Sequence, residues 1–222
     1  MKKESNMEEK KVLLMYSGGL DSLLSCIRLI NDGYKVYLIH FDNGSTIGTE
    51  NIYEGIKLNL DKYKDKVEYI GVASTAGLFR DYRGLIDIEN ISFEELSLKY
   101  PGVSISQYRC LMCRMAMYTY SIALAKSLGI ECIAEGARRS QLFGIEQREL
   151  LEEFTDLCRK YNINLLLPVF DLEDDMVREN EILRNGIVPV AYESKCLLGY
   201  PMNKELTQEQ VDSLRNMYIG LF

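Results

Sequence analysis

Residues 12–16 (VLLMY) are a short apolar run of β-forming composition. They lead through Ser17, Gly18, Gly19, Leu20, Asp21 and Ser22 straight into a helical stripe of Leu20, Leu23, Leu24, Ile27 and Ile30. A buried strand joined to a helix by a two-glycine turn needs a partner strand reached by crossing over the sheet. Residues 36–41 (VYLIHF) read as that strand once Gly33 has stopped the helix, residues 51–60 as the second helix and residues 67–73 (VEYIGVA) as the third strand. Downstream, a helix at 110–128 closed by Gly129 precedes a strand at 131–134 (ECIA), and a helix at 145–161 precedes a strand at 164–169. A helix at 172–184 then leads to an apparent strand at 187–191, and a last helix opens at Thr207, where TQEQ has the pattern of a capping box. This alternation predicts an α/β fold with a doubly wound, mostly parallel sheet, covering residues 12–222 as a single domain.

Two segments stand apart from the alternation. Residues 1–11 (MKKESNMEEKK) are charged without an apolar core and read as a flexible tail, not a signal peptide. Residues 74–107 have weak periodicity, relieved only by a helix at 92–99 that Ser92 and Glu95 open in a capping-box pattern, so this stretch reads as an insertion or lid that closes over a ligand. No apolar run reaches the roughly 20 residues of a membrane span, and the chain reads as cytoplasmic. Its 26 Lys plus Arg against 33 Asp plus Glu give a net charge of −7, which disfavours standalone binding to a polyanion.

The six residues from Ser17 to Ser22 carry the first functional signal, because a glycine turn at a helix N-terminus is an anion site by geometry. Gly18 and Gly19 let backbone approach a ligand, and Ser17 and Ser22 offer hydroxyls. An acidic Asp21 there would repel a phosphate unless a cation lay between them, so the loop implies magnesium; the bland alternative is a glycine turn whose Asp21 stabilises the first helical turn. Neither GxxxxGK[ST] nor GxGxxG occurs near this strand, which argues against a P-loop NTPase and a Rossmann enzyme.

SGGLDS placed after the first strand resembles the pyrophosphate loop of the PP-loop ATP pyrophosphatases, the adenine nucleotide alpha hydrolase-like superfamily. Residues 108–141 (YRCLMCRMAMYTYSIALAKSLGIECIAEGARRSQ) are similar to the segment of 4-thiouridine synthetases in which a Cys- and Arg-rich helix precedes a strand and a second, glycine-containing nucleotide motif. Residues 166–196 (LLPVFDLEDDMVRENEILRNGIVPVAYESKC) resemble the stretch of those enzymes that ends at a functional cysteine. The resemblance implies an AMP-forming enzyme that adenylates a substrate oxygen, releases pyrophosphate and lets a nucleophile displace AMP. It implies ATP phosphates at Ser17, Gly18, Gly19 and Ser22, magnesium through Asp21, adenine and ribose flanked by His40, Phe41 and Asp42, and Gly136 beside the nucleotide. On the residues alone, His40 reads as a polar strand terminus, and Arg138 and Arg139 read equally as phosphate contacts or solvated side chains.

Of the six cysteines, Cys26, Cys132 and Cys158 fall on apolar stretches and read as core. Cys110 and Cys113 share one face of the helix predicted at 110–128, in a first turn where free amides, together with Arg109 and Arg114, favour anionic sulfur. They also share a stripe with Met117, Leu124 and Leu128, so core packing competes. Cys196 follows far downstream. One branch of the PP-loop sulfur transferases is similar in carrying CxxC and a distant third cysteine that hold a 4Fe-4S cluster, and the resemblance assigns Cys110, Cys113 and Cys196 as metal ligands and, with Asp21, as catalytic residues. Zinc at the three cysteines, or a metal-free persulfide relay, are the alternatives.

The resemblance leaves the substrate open between a tRNA base and a small molecule. The partners it implies are ATP, a separate RNA-binding or sulfur-carrier protein and a second copy of the chain. SGGLDS and the following GYKVYLIHFDNG are also similar to 7-cyano-7-deazaguanine synthase, a PP-loop ligase acting on a small heterocyclic acid. A third reading is a nucleotide-binding sensor of the same fold that does no chemistry.

Overall fold

The computed structural model describes residues 9–85, 92–141, 143–198 and 206–221. The elements run β1 (Lys11–Met15), α1 (Leu20–Asn31), β2 (Lys35–Asp42), β3 (Thr46–Ile47), α2 (Asn51–Leu60), β4 (Val67–Ser74), α3 (Ala76–Leu85), α4 (Phe93–Lys99) and α5 (Ile105–Ser127). They continue as β5 (Cys132–Glu135), α6 (Arg148–Lys160), β6 (Asn164–Leu166), α7 (Asp175–Arg184), β7 (Lys195–Cys196) and α8 (Gln208–Ile219).

Five strands form one sheet in the order β4-β2-β1-β5-β6, and each neighbouring pair is parallel. The chain therefore builds outward from β1 to β2 and β4, then returns to the other side of β1 to add β5 and β6. The direction of winding reverses between β1 and β5, and the crevice beyond the carboxyl ends of two such strands is where open α/β sheets take ligands. Leu13 and Met15 of β1 enter one core with Leu111, Met115, Phe154 and Leu214, whereas Val12 and Leu14 enter the other with Leu24, Ile27, Ile52 and Ile182. Alternate side chains of a twice-covered strand thus explain why residues 12–16 are apolar throughout. The doubly wound α/β expectation holds.

Several boundaries differ from the sequence reading: β6 ends at Leu166 where the reading ran to 169, α7 opens at Asp175 where it ran from 172, and three further differences bear on the site, each for a local reason. Helix α5 begins at Ile105 instead of 110, because Ser104 and Gln107 form a capping box in which the Gln107 amide nitrogen donates to Ser104 Oγ at 3.2 Å and the Ser104 amide to Gln107 Oε1 at 2.8 Å. Residues 187–191 form no strand. Pro189 has no N–H to give a ladder, and the Val190 carbonyl accepts from Asn59 Nδ2 at 3.1 Å instead. Cys196 lies in β7, a two-residue strand paired antiparallel with β3, where Thr46 stands opposite Cys196. The stretch read as a lid contributes α3, α4 and the start of α5, with Phe79, Leu96, Tyr100 and Val103 buried in the core; its residues 86–91, like residues 1–8 of the tail, lie outside the described residues.

Candidate active site

The loop between β1 and α1 stands at the switch point. Gly19 is the cap residue of α1, and no side chain caps the helix there, so the first amides of α1 are left for an anion. Ser17 Oγ accepts from the Gly19 amide at 3.2 Å and lies 3.2 Å from Ser22 Oγ, which gathers both hydroxyls around the turn. Gly18 has φ +84°, and a Cβ on it would stand 2.7 Å from the carbonyl oxygen of Tyr192. Its own carbonyl accepts from the Tyr192 amide at 2.8 Å, so Gly18 fastens the loop to the segment that carries Cys196. Gly136, just past β5, is needed for a similar reason. A Cβ there would lie 2.8 Å from the Ser22 amide nitrogen, so only glycine lets β5 abut the start of α1.

Asp21 is buried and fully engaged. Its Oδ1 lies 3.1 Å from Arg138 Nε and 3.1 Å from Arg178 Nη1, and its Oδ2 accepts from Gln141 Nε2. Two guanidiniums thus meet the charge that the sequence reading assigned to magnesium, and a cation on Asp21 does not fit this arrangement. Arg138 is neither solvated nor on open offer to phosphate, since it also pairs with Asp175 at 2.5 Å, while Arg139 is an exposed partner of Glu173. His40 is buried with both ring nitrogens used: Nδ1 donates to the Tyr16 carbonyl at 2.9 Å, which leaves Nε2 to accept from Ser194 Oγ at 3.1 Å. Burial also lowers its pKa, so the ring is neutral and acts as a brace between β2 and the Cys196 segment.

One cavity of about 580 Å³ joins these parts. Ser17, Gly19, Asp21, Ser22, His40, Phe41 and Gly136 line it, and so do Cys110, Cys113 and Cys196. Gly18 does not; its part is played against Tyr192. Asn43 Nδ2 lies 3.4 Å from the Sγ of Cys113 and 3.4 Å from the Sγ of Cys196, which draws together two residues 70 and 153 positions away from it. The expected thiolate activation by a helix terminus is not met. With α5 starting at Ile105, Cys110 and Cys113 stand beyond its first turn, and burial pushes the Cys110 thiol up to about 12 and raises that of Cys113. Cys26 and Cys158 are buried in the two cores, and Cys132 is half-buried at the start of β5. Among the described residues, no group of three His, Cys, Asp or Glu is arranged to hold a metal ion.

The family model for the thiamine biosynthesis protein ThiI matches residues 7–175. The chain belongs to the ThiI family. Within this ThiI-family chain the matched span holds the glycine loop at residues 17–22, Cys110, Cys113 and Gly136, whereas Arg178 and Cys196 lie beyond it. A crystal structure of a 4-thiouridine synthetase–RNA complex with bound ATP is similar to the chain with a TM-score of 0.63 and 15% identity, over 96% of this chain and 51% of that one. The ThiI-family chain therefore spans about half the length of that structure. A predicted subunit of tRNA methyltransferase from Methanocaldococcus jannaschii is more weakly similar, with a TM-score of 0.47 and 20% identity over 89% of this chain and 100% of that one. No curated protein matches the chain.

Several cavity residues of the ThiI-family chain escape a reading of the sequence. Arg178 sits in the acid-rich helix α7, and Gln141 in a short turn after β5. Glu135 and Glu146 flank Arg114, the residue after Cys113. Arg114 pairs tightly with Glu135, which also accepts from the Tyr118 hydroxyl at 2.7 Å, so Glu146, 3.7 Å from Arg114, is the surplus carboxyl of the set. Burial pushes the Glu146 carboxyl up from 4.5 to about 7, with Glu135 and Asp21 adding to the rise and Arg114 opposing it. The folded chain therefore holds this proton more tightly than the unfolded chain, and stability falls as pH rises from 4.5 to about 7, then levels off. Glu146→Gln should remove that fall. Urea midpoints measured at pH 5 and pH 7.5, conditions set roughly to bracket the titration, check this, and an unchanged pH dependence in the variant would contradict it.

Proposed function

We propose that the chain is an ATP-dependent sulfur transferase that adenylates an oxygen of a tRNA base or small molecule and replaces it with sulfur delivered from Cys110, Cys113 and Cys196, which hold a 4Fe-4S cluster. The observation that carries this reading is the shared cavity: a phosphate loop at the sheet's switch point and three thiols from distant parts of the chain face the same space. Activation and sulfur delivery must act on one carbon, so the two sites have to lie within reach of one substrate. The three thiols are not arranged as a metal site among the described residues, so the support for the proposed group is the chemistry of a sulfur-only donor set facing a substrate-sized cavity; when bound, the group would supply an open iron able to carry sulfide.

The chain's own residues divide the work. Ser17, Ser22 and the first amides of α1 hold the phosphates that leave as pyrophosphate, and Arg178, which lines the cavity and keeps a buried Nε without a hydrogen-bond acceptor among the described residues, balances the charge that develops there. The substrate oxygen forms a bond to the α-phosphorus as the bond to pyrophosphate breaks. Sulfur then bonds to the activated carbon, the carbon–oxygen bond breaks and AMP leaves with that oxygen. Phe41 and Met117 give the cavity apolar walls that exclude water from the adenylate. ATP, a tRNA or small-molecule substrate and, given the net charge of −7, a separate RNA-binding or sulfur-carrier protein are the partners of this reading. Anaerobic purification followed by iron, zinc and sulfide analysis and a pyrophosphate-release assay tests it. Iron with sulfide and substrate-dependent pyrophosphate are expected; a colourless zinc protein that forms pyrophosphate would favour a ligase, and nucleotide binding without turnover would favour a sensor.

A further inference from the structure

We propose that Asn43 is a positioning residue of the sulfur site, its side-chain amide holding the sulfurs of Cys113 and Cys196 as a pair. Asn43 follows β2 in an Asp-Asn-Gly sequence, and on sequence grounds it is a turn residue and nothing more. The structure shows two halves to its side chain. Oδ1 accepts from the Ser45 amide at 2.9 Å and from Thr46 Oγ1 at 3.2 Å, which is the turn-forming half. Because a backbone N–H can only donate, that contact fixes which way the amide faces, and Nδ2 must be the group turned to the sulfurs. Nδ2 has two hydrogens and two sulfur acceptors, each at 3.4 Å. Asn43 is only 8% exposed, and its side chain lies in the cavity wall between half-buried Cys113 and exposed Cys196.

The residue also stands where three independently built pieces meet. Cys113 arrives on α5, Cys196 on β7, and Asn43 at the end of β2, with Thr46 of β3 both bonded to Asn43 and paired opposite Cys196. The Leu197 amide donates to the Ser45 carbonyl at 2.9 Å, which ties the same turn to the far side of Cys196. A shared donor between two sulfurs sets their separation and favours negative charge on both, whether they then bind iron, zinc or a sulfur atom. The inference takes its purpose from the sulfur-transfer reading, but the geometry stands without it.

Asn43→Asp separates the two halves, since it keeps the turn-forming oxygen and removes the donors, whereas Asn43→Ala removes both. The test uses the full chain carrying Cys110→Ser, so that the Cys113–Cys196 pair is probed by itself, and phenylarsine oxide, whose arsenic forms two As–S bonds while both thiol protons leave with its oxygen as water. The Cys110→Ser chain should bind one equivalent, and both Asn43→Asp and Asn43→Ala should weaken that binding by about tenfold or more. Unchanged binding in Asn43→Asp, with or without a loss in Asn43→Ala, would reduce Asn43 to a turn residue and overturn the proposal, as would a parent chain that takes up no arsenical. In chains otherwise wild type and reconstituted with iron and sulfide, Asn43→Asp should also lower the reduction potential, because hydrogen bonds to sulfur raise it. A wild-type chain that takes up no iron would sink the cluster reading and leave the arsenical result to decide Asn43.

Discussion

On the proposed sulfur-transfer reading, serine at Cys110, Cys113 or Cys196 should remove iron and lower sulfur transfer by about a thousandfold or more, while ATP binding stays close to that of the wild-type chain. The three thiols line the same cavity as the phosphate loop, but the hydrogen bonds that shape Ser17, Ser22 and the first turn of α1 run within the loop itself and involve none of them. Serine at Cys26 or Cys158 has a different consequence. Both are fully buried within helices, so the hydroxyl loses water, and the cost is about 1–3 kcal/mol of stability without loss of iron. Iron content, ATP affinity by calorimetry and sulfur incorporation, measured across the five variants, separate the two groups. Equal losses in both groups would mean that the cavity cysteines matter only for packing.

Asp21→Asn and Ser17→Ala part company in the same way. Ser17 is an exposed loop hydroxyl, and Ser17→Ala should lower ATP turnover by about a hundredfold with the fold intact. Asp21, in contrast, is a buried carboxylate shared by Arg138 and Arg178, and taking away its charge leaves two guanidiniums with less compensation. Breaking a buried pair of this kind costs about 3–5 kcal/mol, so Asp21→Asn should both unfold at markedly lower denaturant and fail to turn over ATP. Wild-type stability in Asp21→Asn, with turnover lost, would instead support the magnesium role that the arrangement of the arginines speaks against.

Local elements are legible in the sequence, and long-range ones are hidden. Leu20–Asn31, Asn51–Leu60 and the capping box at Thr207 appear where apolar periodicity and end signals put them, because each depends on neighbours within a few residues. The start of α5 is a local matter too: Ser-x-x-Gln at 104–107 is a capping signal, and a helix begun at 110 passes over it and sets Cys110 and Cys113 in the wrong turn. Pro189 likewise speaks against a strand at 187–191 on sequence grounds alone. The partners of Asp21 cannot be read in this way. Gln141 and Arg178 lie 120 and 157 residues from it, and nothing in an acid-rich helix such as α7 marks one arginine as facing the phosphate loop. Asn43 is masked by its own turn sequence, since its acceptor half is local and its donor half reaches 70 and 153 residues away. The three cysteines fall between these cases. The shared role proposed for them comes from resemblance, and only the sheet's reversal between β1 and β5 explains why helix α5 and strand β7 bring them to the cavity lined by the loop at residues 17–22.

The most direct test of ATP-driven sulfur transfer at this one cavity is a product balance. The anaerobic, iron-loaded chain is given ATP, labelled sulfide and unmodified tRNA or a candidate heterocycle, and AMP, pyrophosphate and incorporated sulfur are counted together. Equal amounts of all three are predicted, with sulfur incorporation lost and nucleotide binding kept in Cys196→Ser. ADP and phosphate as products, or AMP and pyrophosphate formed with no sulfur in any substrate, would contradict the account.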